Sequence, residues 1–481
     1  MNIILGKIDY NKLDSSVLFL YGNEVASRSL PLKKDELAYL DSKRKDNLSS
    51  LVVFNRLPHK IYVQNFDSEL PANESLEKLR NAAAKLQLSL VAEKVTKLYV
   101  TGEGVIPEEV VAFLEGLHMA NYRFDKYKTD KETLLTDVVL EQHIVEQDAL
   151  DENLRLWRRI DTLRDWVNEP VMYLNAPKFA DIIKLEAEHL GNVKCTVMGQ
   201  KKLESLKMGG LLAVNRGSDD EARFVVLEYI PENRINDKPI ALVGKGIMYD
   251  TGGLNIKTGN YMVEMKSDMA GAATMASALF AAAENQLPVY LMAFLPMTDN
   301  RPGKNAYAPD DILRMYDGTT VEITNTDAEG RLILADAIAY ADKQDPELII
   351  DAATLTGAAV RALGTSVIAA MQQDADKPFN LLNIVGNQVY ERLAPLPFWK
   401  EYDELLKSDI ADIINCNIHA NAGTITAGRF LAHFAHHPYI HLDIAGVAYY
   451  SKRERFYGVG ASSFGLRLLY AFFQTYEACK K

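Results

Sequence analysis

Cysteine is scarce in this chain, and long apolar runs are absent from it. The three cysteines, Cys195, Cys416 and Cys479, are widely separated among 481 residues and form no CxxC pair. This spacing indicates neither a disulfide framework nor a thiolate zinc knuckle, so we expect each thiol to be buried or inert. The chain has no run of roughly 18 apolar residues, and its N-terminus has no basic start followed by an apolar core. We therefore predict a cytoplasmic protein with no membrane partner.

An excess of positive charge is also missing. The formal net charge is −12, whereas nonspecific nucleic-acid binding depends mainly on clustered lysine and arginine. The richest basic run, residues 33–45, is interleaved with acidic residues and is typical of a solvated helix face. The apolar content of 48% and the charged content of 25% are those of a globular protein. A general phosphate-binding role is therefore disfavoured.

Familiar catalytic motifs are missing too. Residues 244–246 are Gly-Lys-Gly but lack the spacing of a phosphate loop, and residues 460–465 miss the Gly-x-Ser-x-Gly elbow by one position. His433 and His437 stand four apart on a predicted helix, but Phe434 occupies the place of the glutamate that a His-Glu-x-x-His zinc site needs. We expect these two histidines to form a helix-surface cluster. We expect neither them nor His419 and His441 to be metal ligands, so oxygen should dominate any metal site.

The order of hydrophobic patterns predicts an α/β protein with two domains. Residues 1–150 alternate strand-like and amphipathic helical runs, which indicates a small N-terminal α/β domain for assembly or regulation. Apolar residues at three- and four-residue steps predict a linker helix at residues 151–170. In residues 171–481 continuously apolar strands alternate with helical runs, which predicts a larger C-terminal domain with a mainly parallel, helix-covered sheet. Its strand candidates are residues 224–227, 240–243, 289–294, 348–350 and 440–444.

Charged side chains collect where these strand candidates end. In such sheets the functional site lies beyond the carboxyl ends of the strands. Residues 325–331, Asn-Thr-Asp-Ala-Glu-Gly-Arg, form one strand-to-helix corner after residues 320–323, and Thr326 with Glu329 fits a capping box. We expect this cap to orient the corner toward the site. The charged residues at the strand ends are Lys245, Asp250, Lys257, Asp268, Asp327 and Glu329.

Four carboxylates at one sheet edge repel one another unless divalent cations neutralise them. Such a set can hold two cations about 3.5 to 4 Å apart, which activate a water and polarise a carbonyl or phosphoryl oxygen. The residues therefore predict a two-metal hydrolase, and they leave open whether it cleaves peptides or phosphate esters.

Three ordered motifs carry a family resemblance. Residues 244–253, residues 266–273 and residues 325–332 closely resemble the leucyl aminopeptidase (cytosol aminopeptidase) family. The resemblance extends from about residue 165 to the C-terminus and is weak before about residue 150. It implies a dinuclear-metal aminopeptidase that removes N-terminal residues from peptides by means of a metal-bridging water.

The resemblance also implies roles for the charged residues. Asp250 and Glu329 would bridge two divalent ions, Zn or Mn and possibly Mg or Co. Asp327 would complete the more exchangeable site, and Lys245 with Asp268 the tighter one. An amine ligates only when it is neutral, so the cations would have to lower the pKa of Lys245.

Two positively charged side chains would be catalytic, and a pocket would select the substrate. Lys257 would polarise the scissile carbonyl and stabilise the oxyanion, and Arg331 would hold a bicarbonate that relays a proton. The substrate is a peptide with a free N-terminus, and its first side chain would be apolar, such as Leu or Met. The substrate-binding residues implied are Met265, Asn325, Thr354, Gly357, Ala445 and Ala448.

The family resemblance finally implies a homohexamer, arranged as a dimer of trimers. Two other hypotheses are a main role in DNA binding, which the net charge disfavours, and a two-metal phosphoesterase.

Overall fold

The computed structural model describes residues 1–10, 12–22, 32–45, 51–56, 59–65 and 71–479. The chain divides into two compact units, one of Met1–Asp161 with Ser451–Val459 and the other of Thr162–Tyr450 with Gly460–Lys481. Among the described residues, no helix is long and apolar enough to cross a membrane.

The smaller unit is built on a six-stranded sheet. Its strands are β1 (Asn2–Gly6), β2 (Ser16–Tyr21), β3 (Leu51–Arg56), β4 (His59–Asn65), β5 (Lys97–Glu103) and β6 (Asp137–Glu141), and its helices include α1 (Lys34–Lys45), α2 (Ala72–Ala92) and α3 (Pro107–Asn121). The strand order is β1-β6-β5-β2-β4-β3, and only β3 is antiparallel to its neighbour in this order. The basic run forms α1, whose described side chains are mostly exposed, as predicted; Leu40 is its buried residue.

A single amphipathic helix, α4 (Gln147–Asn168), covers most of the segment that we predict as a linker. Its apolar side chains at three- and four-residue steps are buried, among them Trp157, Ile160 and Leu163. The periodicity therefore identified a real helix.

The larger unit contains a nine-stranded sheet and a three-stranded one. Its strands are β7 (Val193–Met198), β8 (Arg223–Tyr229), β9 (Ile240–Gly244), β10 (Gly246–Asp250), β11 (Leu291–Asn300), β12 (Ile312–Arg314), β13 (Thr320–Glu322), β14 (Leu348–Ala353), β15 (Ile368–Gln373), β16 (Leu393–Pro395), β17 (Ile413–Ile414) and β18 (Tyr439–Asp443). The strands β19 (Tyr449–Glu454) and β20 (Gly458–Ala461) form a two-stranded sheet, of which residues 451–459 belong to the smaller unit. The main order is β16-β15-β18-β14-β9-β11-β8-β7, with β10 beside β11. The central strands β18, β14, β9 and β11 are parallel, which confirms the predicted fold class.

Helices cover both faces of this sheet. They are α5 (Ala176–Leu190), α6 (Gln200–Leu206), α7 (Gly209–Asn215), α8 (Ala270–Glu284), α9 (Glu329–Asp342), α10 (Gly357–Leu363), α11 (Asp376–Val389), α12 (Gly423–Ala432) and α13 (Leu466–Thr475). Ala241 and Val243 of β9 join one buried cluster with α7, α9 and α12. Since side chains alternate along a strand, Leu242 points to the other face, where the fully buried alanine-rich helix α8 packs against β9.

Two local predictions were wrong. The strand before residues 325–331, β13, belongs to a separate three-stranded sheet with β12 and β17, not to the main sheet. Helix α12 ends at Ala432, so His433 and His437 do not share a helix. His437 instead packs beside Asp342, with its Nδ1 atom 2.9 Å from Oδ1 of that residue.

Candidate metal centre

The site begins where β9 and β10 end. Lys245 lies between these strands, and Asp250 is the last residue of β10. The chain then turns through Gly252, whose φ of 87° is in the left-handed region that glycine adopts without strain. The Gly252 N–H donates to Asp250 Oδ1 at 2.8 Å. A Cβ atom on Gly252 would lie 2.9 Å from Asp327 Oδ1, so this turn also leaves room for the second carboxylate.

The corner at residues 325–331 is held differently from the prediction. Helix α9 begins at Glu329, and its N-cap, Ala328, offers no side-chain hydrogen bond. The Thr326 hydroxyl donates to the Gly252 carbonyl at 2.7 Å and accepts the Asn255 N–H at 2.8 Å. The capping-box prediction was therefore wrong, because Thr326 fastens the corner to the Gly252 turn instead of capping α9.

The carboxylates converge at this place. Asp250, Asp327 and Glu329 each offer an oxygen within 4.8 Å of the others, a spacing that a metal ion could share. Asp250 and Glu329 are 2% and 1% exposed. Asp268, in a short 3-10 helix before α8, is also buried and accepts a hydrogen bond from the Thr354 hydroxyl at 2.8 Å.

Two lysines join the four carboxylates into one cluster. Lys245 Nζ lies 2.8 Å from Asp268 Oδ2 and 3.0 Å from Glu329 Oε1. Lys257 Nζ lies 2.7 Å from both Asp250 Oδ2 and Asp327 Oδ1. The fold thus brings together all five residues predicted as metal ligands and the predicted catalytic lysine.

The charges of this cluster do not balance without further cations. Four carboxylates against two ammonium groups leave two negative charges in a largely buried place. Burial, together with the negative charge of the neighbouring Asp250, raises the pKa of Glu329 to about 8. Burial likewise raises the pKa of Asp268 to about 6. Burial would lower the pKa of Lys245, but Asp268, Glu329 and Asp250 outweigh it and raise the pKa overall. This residual negative charge fits divalent cations, which would compete with the lysine protons.

Arg331, on the first turn of α9, approaches the cluster from another side. It is 6% exposed, and its Nη1 atom donates to the Asn415 carbonyl at 2.7 Å. Its Nε–H finds no acceptor among the described residues. A buried guanidinium with an unused donor fits a bound anion.

The cluster opens into a cavity of about 610 Å³. Its walls include every residue predicted for metal binding and catalysis, together with all six residues predicted for substrate binding. The Thr354 hydroxyl is already bonded to Asp268, while Met265, Ala445 and Ala448 contribute apolar surface. None of the four histidines considered above lines it; His441 is instead buried against Asp351, with Nδ1 2.8 Å from Oδ1.

Several residues of the site were missed from the sequence. Asn300, the last residue of β11, donates through Nδ2 to Asp250 Oδ1 at 2.8 Å and to the Thr326 carbonyl at 3.0 Å. The predicted strand ends at Phe294, six residues before the end of β11, and a longer strand would have placed Asn300 at the carboxyl edge. Cys416 lines the cavity and, like the other two free cysteines, is partly exposed, so the thiols are not fully buried; that they are inert stays a prediction. The absence of a disulfide was predicted correctly for the described residues, which include all three thiols.

Comparisons with known proteins agree with this geometry. The family described as "Cytosol aminopeptidase family, catalytic domain" matches residues 161–470. A probable cytosol aminopeptidase of Chlorobium limicola is 39% identical over 420 residues, which cover 81% of this chain and 82% of the relative. One of Geobacter sulfurreducens is 35% identical over 470 residues, covering 91% and 93%.

Two solved structures are similar as well. The bottromycin maturation enzyme BotP in complex with Mn has 30% sequence identity and a TM-score of 0.83, with 96% of this chain and 99% of that chain covered. A tomato leucine aminopeptidase mutant has a TM-score of 0.84 at 24% identity, with 98% and 96% covered, and shows the likeness of fold.

Proposed function

The chain belongs to the cytosol aminopeptidase family and is a metal-dependent aminopeptidase, and we propose that a two-metal site removes Leu- or Met-like N-terminal residues from its peptide substrates. The observation that carries this proposal is the buried cluster of four carboxylates and only two lysines at the wall of a cavity. Membership of a peptidase family also decides between the peptide and phosphate-ester substrates that the charged residues alone left open.

The metal ligands of this proposal are the clustered residues. Asp250 and Glu329 would be shared by the two ions, Lys245 and Asp268 would complete one site, and Asp327 would complete the other. Zn or Mn, with Mg or Co as alternatives, would supply the charge that neutralises the cluster, activates a water and polarises the scissile carbonyl. Asp327 suits the more exchangeable site because its side chain is 34% exposed, whereas that of Asp268, in the other site, is 6% exposed.

Lys257 and Arg331 act on the reacting groups. In the metal-free cluster, burial lowers the pKa of Lys257, but Asp250, Glu329 and Asp327 raise it by more, which favours the protonated lysine. Its ammonium can therefore donate to the oxygen of the scissile carbonyl as negative charge develops there. Arg331 offers the unused Nε–H to a bicarbonate, which would supply a proton acceptor beside the cluster.

The cavity wall sets the preference for the first residue. Met265, Ala445 and Ala448 present apolar atoms, and the Thr354 hydroxyl already donates a hydrogen bond to Asp268. An apolar side chain that enters this space loses no hydrogen bond to water, whereas a polar one finds few partners. Leucine and methionine are therefore the expected first residues. Asn325, the first residue of the 325–331 motif, would also contact the peptide.

Asp327→Ala tests the proposal directly. We expect the variant to bind less metal and to lose hydrolysis of a leucyl anilide at saturating Mn²⁺ or Zn²⁺. Asp237→Ala removes the same charge from an exposed loop and serves as the control. Unchanged turnover by Asp327→Ala at saturating metal would sink the assignment of this residue and of the two-metal site.

The assembly and location are further parts of the proposal. We propose a cytoplasmic homohexamer, a dimer of trimers, on the basis of the family and of the names of its relatives. Light scattering that gives the mass of a monomer would refute the hexamer. DNA binding as the main role stays an alternative hypothesis, and a gel-shift titration at low salt without a complex would dismiss it.

A further inference from the structure

One cation of the cavity wall has no part in the centre described above. Eight charged residues line the cavity, and seven of them belong to the cluster or to catalysis: Lys245, Asp250, Lys257, Asp268, Asp327, Glu329 and Arg331. The eighth is Arg361, which lies in the last turn of α10.

The side chain of Arg361 leans along α10 toward the cavity. Helical side chains point toward the N-terminus of their helix, and Gly357, the first residue of α10, lies one turn earlier on the same face. The Nη1 atom of Arg361 is 3.3 Å from the position that a Cβ on Gly357 would occupy. The guanidinium therefore covers the wall at Gly357, where the missing side chain leaves space for it.

Nothing in the described part of the chain neutralises this guanidinium. Arg361 is solvent-accessible, and the described residues include no ion-pair or hydrogen-bond partner for it. The four carboxylates of the same cavity are already engaged by Lys245 and Lys257. A planar guanidinium without a partner can bind a carboxylate through two parallel N–H···O bonds.

We propose that Arg361 binds a carboxylate of the substrate and so adds acidic peptides to the substrates of this enzyme. This inference rests on the proposed function, because it concerns the same cavity. The carboxylate can come from the side chain of a first residue such as glutamate or from the C-terminus of a short peptide. The contact with Gly357, a residue of the proposed first-side-chain pocket, favours the glutamate side chain, whose methylene groups suit the apolar wall at Met265 and Ala448.

The first experiment compares glutamyl, leucyl and lysyl anilides with the Mn²⁺-loaded enzyme. We expect Arg361→Gln to lower the ratio of kcat/KM for the glutamyl substrate to that for the leucyl substrate about tenfold, as the loss of a charge-assisted hydrogen bond would. Arg361→Glu should lower this ratio further and raise the ratio of lysyl to leucyl hydrolysis. Arg234→Gln removes one positive charge from an exposed loop outside the cavity lining and should preserve both ratios.

A second comparison identifies the source of the carboxylate. Leu-Leu and Leu-Leu-amide differ only at the C-terminus, so a loss by Arg361→Gln confined to the free acid would assign the residue to the peptide end. In the wild-type enzyme, added NaCl should lower kcat/KM for the acidic substrate more than for its neutral counterpart, because salt screens an accessible ion pair.

The outcomes separate the two proposals. If the wild-type enzyme cleaves leucyl substrates but the glutamyl-to-leucyl and acid-to-amide ratios are the same in Arg361→Gln, the role of Arg361 is overturned and the aminopeptidase site stands. If the metal-loaded wild-type enzyme cleaves no aminoacyl substrate, the proposed function itself fails.

Discussion

Gly330 lies directly against the side chain of Lys245. A Cβ atom on Gly330 would be 2.3 Å from Cε and 2.7 Å from Nζ of this lysine. The absence of a side chain at Gly330 therefore leaves the space in which the Lys245 amine reaches Asp268 and Glu329. One glycine of the 325–331 motif thus makes room for the side chain of a residue that lies 85 positions earlier in the chain.

Gly330→Ala should weaken metal binding although it replaces none of the proposed ligands. The added methyl group has to displace Lys245, since real Cβ atoms do not approach other atoms within 3.0 Å. We expect the Mn²⁺ concentration for half-maximal leucyl hydrolysis to rise about 10- to 100-fold, the range found when supporting residues of metal sites are changed. Gly199→Ala, whose Cβ would have its nearest neighbour at 3.6 Å, is the matched control. Identical metal titrations for the two variants would contradict this account.

Removal of divalent cations should abolish activity and lower thermal stability. The cluster carries two uncompensated negative charges without metal, and a ligand that binds only the native state stabilises it by about 2.7 kcal/mol at 100 times its Kd. Dialysis against a chelator followed by Mn²⁺ titration, monitored by activity and by Tm, measures both effects. The rise in Tm should be smaller in Asp327→Ala. A chelated enzyme with full activity would be incompatible with a metal-dependent site.

Asn300→Leu should impair the centre through Asp250. The Asn300 amide holds Asp250 Oδ1 at 2.8 Å, lies 3.4 Å from Glu329 Oε2 and supports the corner through the Thr326 carbonyl. Leucine has a similar size but no donor, so the carboxylate loses its orientation. We expect the metal concentration for half-maximal activity to increase roughly 10- to 100-fold. Asn233→Leu, on an exposed loop, controls for the substitution itself, and equal metal dependence in the two proteins would rule out this supporting role.

Asp336→Asn should change how stability depends on pH. Asp336 on α9 is fully buried and accepts the Leu211 and Tyr316 N–H groups, both at 2.9 Å. Burial raises its pKa from 3.8 to about 7. Between these values the folded state binds more protons than the unfolded state, so this residue makes stability fall as pH rises, by at most about 4 kcal/mol for three pKa units.

The asparagine variant cannot titrate and should lose this part of the slope. Urea unfolding of the metal-free proteins at pH values from 4 to 8 measures the difference, in which contributions from Glu329 and Asp268 cancel. At the acidic end of this range the variant will be less stable, because its amide NH₂ faces a backbone donor. Parallel stability curves for the two proteins would show that Asp336 does not titrate in this window.

The strengths of the sequence prediction follow from the range of its signals. Strand and helix periodicity is local, so β8, β9 and β18 were placed within a residue or two, and β14 was placed correctly at its start but ended three residues early. Because central strands of this sheet are parallel, their carboxyl ends share an edge, and polar residues after each strand could be grouped before their distances were known. The resemblance to the family then implied a role for each of these residues.

The errors have a common cause in contacts between distant segments. The sequence pattern of Thr326 and Glu329 satisfies a capping box, but the Thr326 hydroxyl is nearer to Gly252, and this choice is made only when the two loops meet. The same holds for β13, which forms a small sheet with β12 and β17: Val321 pairs with Ile413, 92 residues later in the chain. No local pattern contains such pairings.

Periodicity and residue types in a recognisable order were enough to predict the α/β class, the clustered carboxylates and lysines, and the family. Which atoms meet is known from the folded chain alone: Asn300 orients Asp250, Gly330 makes room for Lys245, and Arg361 covers Gly357 at the cavity wall. The physical reason is that steric exclusion and hydrogen bonding act over a few ångströms in space, whatever the separation along the chain.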